Sequence, residues 1–182
     1  VLYQLCLSVP KDSPLYGALK NNGDTTQFSR IYPDYVFVEQ LPGEGHLRYV
    51  VVDAKASVSV KLNHQVQVAL YQMVLRDVLV DMGRAESLKA YEYGGVWLQG
   101  IDAPSMFFLD GLTAHVQHFV EHEVTKVLSP EARDEGYSRQ RWHYSERCLN
   151  CPYHAHCAAE TVQTGTVSAI PHLSLLQKQR LE

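Results

Sequence analysis

Two short stretches carry residue types suited to hydrolytic chemistry: Pro33-Asp34, and Asp53-Ala54-Lys55. Between them lies Pro42-Gly43-Glu44-Gly45, which is turn chemistry. A hairpin centred on Gly43-Glu44 sets Asp34 opposite Asp53. Directly opposed residues have Cβ atoms about 4.5–5.5 Å apart, and like charges there repel. Asp53 follows Tyr49-Val50-Val51-Val52, a run typical of a buried strand. Two carboxylates at the end of such a strand are costly unless a counter-charge lies between them. A divalent cation removes the repulsion, and oxygen donors suit Mg²⁺ or Mn²⁺. Lys55, two residues past Asp53, points to the same face. There it can orient an attacking water or stabilise charge on a phosphate. Without the opposed Asp34, the same residues would read as strand-end acids with a solvated Lys.

A helix must follow this strand. Leu62, Val66, Ala69 and Met73 recur at spacings of 3 and 4, which predicts a helix over Leu62 to Met82. Gly83 is its stop. His64, Gln67 and Tyr71 share one face of it. Read alone, they form a polar stripe facing solvent. If the helix lies beside the strand end, Gln67 and Tyr71 can hydrogen-bond phosphate oxygens or the acids.

A second group of residues is suited to ligation. Three of the four Cys fall within ten residues: Cys148, Cys151 and Cys157. The Cys-x-x-Cys spacing lets two thiolates meet one metal centre. Clustered Cys in a chain without a secretion signal point to metal or cluster ligation in a reducing compartment. Pro152 restricts the backbone next to Cys151. His154 and His156 sit inside the module, so a Cys₃His zinc site competes with an iron–sulfur cluster. The three thiols are expected to lie close together. Cys6 stands alone in a predicted strand and is expected in the core.

The remaining elements form a frame for these groups. Val1–Leu7, Phe28–Glu39 and Leu47–Lys55 read as strands, with Tyr91–Gln99 and Ser105–Leu109 as a further pair. Leu112–Leu128 reads as a second long helix ended by Ser129-Pro130. Along it, His115, His118 and His122 share a face near Glu121 and Glu123, without a His-Glu-x-x-His pattern. That face reads as exposed or groove-lining. The order of strands, helix, strands, helix and ligand-bound module predicts an α/β protein, a central mixed sheet flanked by helices with a small Cys-ligated C-terminal module.

The 182 residues are 46% hydrophobic and 20% charged, which excludes wholesale disorder. Net charge is −4, so nothing global points to nucleic acid. A local basic groove remains compatible with that figure, because net charge averages over both faces. Arg133, Arg139, Arg141 and Arg147, with Tyr137, Trp142 and Tyr144, form a basic-aromatic stretch. It suits either a single strand, through phosphate pairing and base stacking, or a plain solvated loop. No apolar run is long enough to cross a membrane. The first residues do not read as a signal peptide, and the localisation expected is cytoplasmic, with nucleoid or nucleus left open. The first residue is not Met, and Leu173 to Glu182 reads as a helix that stops abruptly, so a fragment of a longer protein is expected.

Pro33-Asp34, Asp53-Ala54-Lys55 and Gln67-x-x-x-Tyr71 together resemble the PD-(D/E)xK nuclease superfamily, and within it the RecB-type branch. Cys148-x-x-Cys151-x5-Cys157 is similar to the C-terminal iron–sulfur module of that branch, shared with CRISPR-adaptation exonucleases and helicase-nucleases. The resemblance implies a restriction-endonuclease-like core over residues 1–145, a cysteine module over 146–170 and the start of a helical segment over 171–182. It implies a Mg²⁺- or Mn²⁺-dependent deoxyribonuclease acting on single-stranded DNA ends in repair or recombination. Asp34, Asp53 and the Ala54 backbone carbonyl would hold the metal, Lys55 would position water, and Gln67 and Tyr71 would orient ligands or DNA. His64, Arg139, Arg141 and Trp142 would touch the nucleic acid. Cys148, Cys151 and Cys157 would hold a [4Fe-4S] cluster, with Zn²⁺ as the alternative. A helicase domain or subunit is the implied partner. The branch also carries an upstream helix with a motif-one His or Glu, and a first cluster Cys. By the resemblance both lie upstream of Val1. A non-catalytic nucleic-acid-binding scaffold, or a zinc-stabilised interaction domain, are the competing classes.

Overall fold

A computed structural model describes residues 1–20, 30–125 and 143–181. The chain divides into two compact units, Val1–Ser129 and Pro130–Glu182.

The first unit is α/β, built on one open mixed sheet of six strands: β1 (Leu2–Tyr3), β2 (Tyr35–Gln40), β3 (Leu47–Lys55), β4 (Leu88–Ala90), β5 (Tyr93–Leu98) and β6 (Ser105–Phe108). The spatial order is β1-β2-β3-β5-β6, with β4 also pairing β3. The β2–β3 hairpin has the register expected from its turn: Tyr35 pairs with Val52 and Phe37 with Val50. Gly43 takes a positive φ of 85° at the bend, which a residue without Cβ adopts at no steric cost. β3 and β5 run parallel, and the crossover between them is the helix α2 (Leu62–Asp81).

Helix α2 closes as its sequence requires. Gly83 sits at φ 65°, its N–H donates to Val80 O, and Arg84 N–H reaches back to Leu79 O. These two bonds satisfy carbonyls that would otherwise be orphaned at the helix end. Helices α1 (Pro14–Lys20) and α3 (Asp110–His118) complete the unit, and α3 runs on as a π-helical turn, Phe119–Val124.

Alternation along the strands decides the faces. Tyr49, Val51 and Asp53 of β3 point inward, with Val36 of β2 and Val96 of β5, onto Val68, Ala69 and Met73 of α2. Leu15, Leu109, Val116 and Val120 join the same core. The opposite set, including Tyr35, Phe37 and Trp97, lies on the outer face.

Several predicted boundaries shift for local reasons. The first strand is only Leu2–Tyr3, because Gln4 takes φ 44° and breaks the extended run; pairing resumes at a single Leu7–Ile31 bridge. Strand β2 begins at Tyr35 rather than Phe28; Pro33 precedes it and has no N–H to give a ladder. Residues 28 and 29 lie outside the described part. The predicted Tyr91–Gln99 strand narrows to Tyr93–Leu98, and the short parallel strand Leu88–Ala90 was not foreseen. The second long helix starts earlier, at Asp110, and loses regular α-geometry after His118. Its predicted end, Leu128, lies outside the described residues.

In the second unit, a 3₁₀ turn (Glu146–Asn150) leads into α4 (His154–Thr164), a 3₁₀ turn (Val167–Ala169) and α5 (Leu175–Leu181). His143 ties this unit together: its Nδ1 lies 3.2 Å from Ser168 Oγ and its Nε2 2.6 Å from Leu173 O.

Candidate active site

The hairpin register, extended by one pair, brings Asp34 beside Asp53 at the end of β3. Asp34 Oδ2 accepts the Ala54 N–H at 2.8 Å, which fixes its carboxylate across the strand end. Asp53 is almost wholly buried, and its Oδ2 is sealed from solvent. That oxygen forms an ion pair with the half-buried Lys55 ammonium, without hydrogen-bond geometry. Asp34, Asp53 and Lys55 therefore form one small site.

Burial pushes the Asp53 carboxyl above its ordinary range. Lys55 opposes that shift, and the neighbouring Asp34 carboxylate reinforces it. Two acids facing one another, one of them sealed, are a donor set suited to a hard cation. Among the described residues no three His, Cys, Asp or Glu are drawn together tightly enough to hold a metal. A pair is compatible with Mg²⁺, which keeps several waters and binds through one or two carboxylates plus substrate phosphates.

The raised Asp53 gives a pH prediction. A carboxyl that binds its proton more tightly when folded contributes stability that is complete below its unfolded pKa, about 3.9. That contribution is lost as pH rises through the elevated folded value. In chelator, the melting temperature of the wild type minus that of Asp53→Asn is expected to fall as pH climbs from about 4 to 8. If the two acids hold Mg²⁺, the ion at about 100 times its Kd should then stabilise the wild type at pH 8 by about 2.7 kcal/mol, and leave Asp53→Asn unmoved. Parallel melting curves against pH would remove Asp53 as the titrating group.

His64 departs from its expected role. It is buried, and its Nδ1 accepts the Lys61 N–H at 3.3 Å. It thus satisfies a backbone donor at the start of α2, in the manner of a capping residue at N3. Burial depresses its pKa, and the Lys55 and Lys61 charges depress it further. The ring supports the strand-to-helix connection instead of facing solvent.

Gln67 Nε2 donates to Tyr71 Oη at 2.6 Å. Neither of these side chains hydrogen-bonds Asp34, Asp53 or Lys55. The helical spacing brings the two together, and in this state they bond to each other. His118 and His122 stack with ring centroids 4.2 Å apart, and with His115 they are exposed, as expected of a polar face.

The cysteines of the second unit sit on three successive pieces of backbone. Cys148 lies in the 3₁₀ turn, Cys151 caps it, and Cys157 is in the first turns of α4. All three are free thiols, Cys151 exposed and the others partly so. Cys148 Sγ accepts the Ser145 N–H at 3.5 Å. His154 Nε2 is engaged by the Tyr144 hydroxyl at 2.6 Å, and His156 lies 3.8 Å from Glu160. Cys6 is exposed and not in the core. Its neighbours Leu7 and Val9 point inward, and alternation turns Cys6 out.

Arg133, Tyr137, Arg139, Arg141 and Trp142 lie outside the described residues, as does the Arg147 side chain. An aromatic group lies on the outer face, opposite the side on which Lys55 meets Asp53, and has no counterpart among the residues singled out from the sequence. Tyr35, Ala54, Lys55 and Trp97 line an open cavity of ≈ 410 Å³ there. Its signal in the sequence was the strand alternation of Tyr35 and Phe37, both on the polar side of a half-buried pattern. Comparison with protein-family models, characterised proteins and solved structures returns no match.

Proposed function

We propose that the chain is a divalent-metal-dependent nuclease that hydrolyses DNA phosphodiesters, with single-stranded ends as substrate. The observation that carries this reading is the buried Asp53, facing Asp34 and paired with Lys55 at the end of a sheet strand. A buried acid beside a second carboxylate is maintained at a cost in stability, and such costs concentrate at functional sites. Asp34, Asp53 and the Ala54 carbonyl are the proposed ligands of Mg²⁺ or Mn²⁺. Bound metal supplies charge neutralisation at the phosphodiester and activation of water. Lys55, released from Asp53 when that carboxylate turns to a cation, directs its ammonium to the scissile phosphate or the attacking water. Gln67 and Tyr71 exchange their mutual bond for the DNA backbone. A restriction-endonuclease-like core and a helicase partner belong to the same reading.

The direct test is release of nucleotides from labelled single-stranded DNA by the purified chain, with Mg²⁺ or Mn²⁺ and with chelator. Cleavage that depends on the metal supports the reading; absent cleavage favours the scaffold class, and metal-independent cleavage would remove the metal from the mechanism.

For the cysteine module we infer an iron–sulfur cluster on Cys148, Cys151 and Cys157, with the fourth Cys outside this chain. Three soft thiolates at this spacing are the support. Anaerobically purified protein with its natural flanking sequence should contain iron and acid-labile sulfide, and triple Cys→Ser replacement should abolish both. A colourless protein with one zinc per chain would overturn the cluster. His154, provided its bond to Tyr144 opens, or His156 would then be the competing ligand.

A further inference from the structure

We propose that the cleft between α2 and the start of α3 binds a free α-amino acid with an apolar side chain. The cleft is a cavity of ≈ 520 Å³, within the range of small-molecule sites, about 300–1,000 Å³. It is separate from the carboxylate site. Asp53 lies level with Val96, in the second half of β5, whereas Glu92 at the cleft precedes the first residue of β5. The proposal does not depend on the nuclease reading.

Helix α2 supplies the groups for the ligand's charged end. Gln72 and Arg76 both line the cleft, and side chains at this spacing are neighbours on one helix face. Gln72 is only 7% exposed. Its Nε2 donates to Tyr91 O at 2.7 Å, which fixes the amide, and its buried Oε1 has no hydrogen-bond partner. A buried acceptor left unpaired is costly, and an ammonium N–H would satisfy it. The Arg76 side chain is 56% exposed and makes a loose 3.7 Å contact with its neighbour Asp77. Its planar fork is therefore open to a carboxylate. An acceptor and a guanidinium one helical turn apart match an ammonium and a carboxylate carried on one carbon.

The rest of the lining fits the same class of ligand. Glu92 and Asp110 bring two exposed carboxylates to the cleft, and among the described residues Arg76 pairs with neither. Opposite charges that line one cleft without meeting suit a ligand carrying both signs. A multiply charged anion such as a phosphate would be repelled by the two acids. Met73 and Leu109 add buried apolar lining, and Phe108 lines the cleft while 76% exposed. An apolar side chain laid against that ring removes apolar surface of both partners from water. Zwitterionic head on Gln72, Arg76 and the acids, apolar tail on Phe108: this is the chemistry of a free apolar amino acid.

The test is calorimetric titration of the full chain, in chelator, with L-leucine, L-methionine and L-phenylalanine. At least one should bind saturably with a Kd below about 1 mM. For that amino acid, the amide, which lacks the carboxylate, and the des-amino acid, which lacks the ammonium, should each bind at least about tenfold more weakly, the loss expected of one charge-assisted hydrogen bond. Arg76→Gln, at an exposed position, should weaken the amino acid by a similar factor and no longer distinguish it from its amide. Glu92→Gln combined with Asp110→Asn should weaken the amino acid but not the des-amino acid. Folding of each variant is checked by circular dichroism. No binding at this strength by any of the three amino acids would overturn the site. So would an analogue lacking either charge that binds as tightly as its parent, or a folded Arg76→Gln that binds like the wild type.

Discussion

Lys55→Ala is expected to cut DNA hydrolysis by about 100- to 1,000-fold, the range seen when one preorganised charge or donor is removed from a reacting centre. The ammonium sits against Asp53 at the site. Removing it takes away the positive charge that would meet the phosphate but leaves both carboxylates. Mg²⁺ affinity should therefore hold or rise, because the competing cation is gone. Asp53→Asn should abolish turnover and metal binding together, since it deletes a proposed ligand. Turnover on single-stranded DNA beside calorimetric metal titration separates the two. Equal cleavage by wild type and both variants would dismiss Asp53 and Lys55 as catalytic residues. Retained metal binding by Asp53→Asn would place the ligands elsewhere.

Gly94→Ala is expected to be the most damaging single-methyl change in the sheet. A Cβ at Gly94 would lie 2.5 Å from Val68 Cγ1, 3.1 Å from Leu109 Cδ1 and 3.4 Å from Val51 O. Val68 is wholly buried, and a β-branched side chain has little rotamer freedom on a helix. The strain must be relieved by lifting α2 from the sheet. Overpacking of this kind costs about 1–3 kcal/mol, and each kcal/mol lowers the melting temperature by about 2–4 °C in a chain of this size. Gly95→Ala is the control. Its Cβ would meet Met106 Sδ at 2.9 Å and Val52 Cγ2 at 3.0 Å. Met106 is flexible and 45% exposed, so it can swing aside. A milder loss at Gly95 than at Gly94 is expected in thermal denaturation. The reverse order would mean that α2 is not held against β5 as described.

The sequence by itself determined the features that depend on neighbours along the chain. The Gly43 turn fixed the β2–β3 register, and with it the meeting of Asp34 and Asp53. The bounds of β3 and the Gly83 stop of α2 followed from a buried strand run and a left-handed helix end. These are short-range effects of turn geometry and hydrophobic period, so they are legible in single residues. Other properties needed the assembled sheet. His64 shared a polar stripe in sequence, yet its ring turns inward to take a backbone N–H that only a helix start leaves unpaired. Cys6 looked like core and is exposed, because the face presented by an irregular segment depends on where its neighbours pair. The burial of Asp53 depends on α2 covering its side of the sheet. The aromatic face draws Tyr35, Phe37 and Trp97 from strands far apart in the chain, joined only by the parallel pairing of β3 with β5. Long-range pairing has no local code. It is settled by which apolar faces can be buried together, and that is a property of the whole fold.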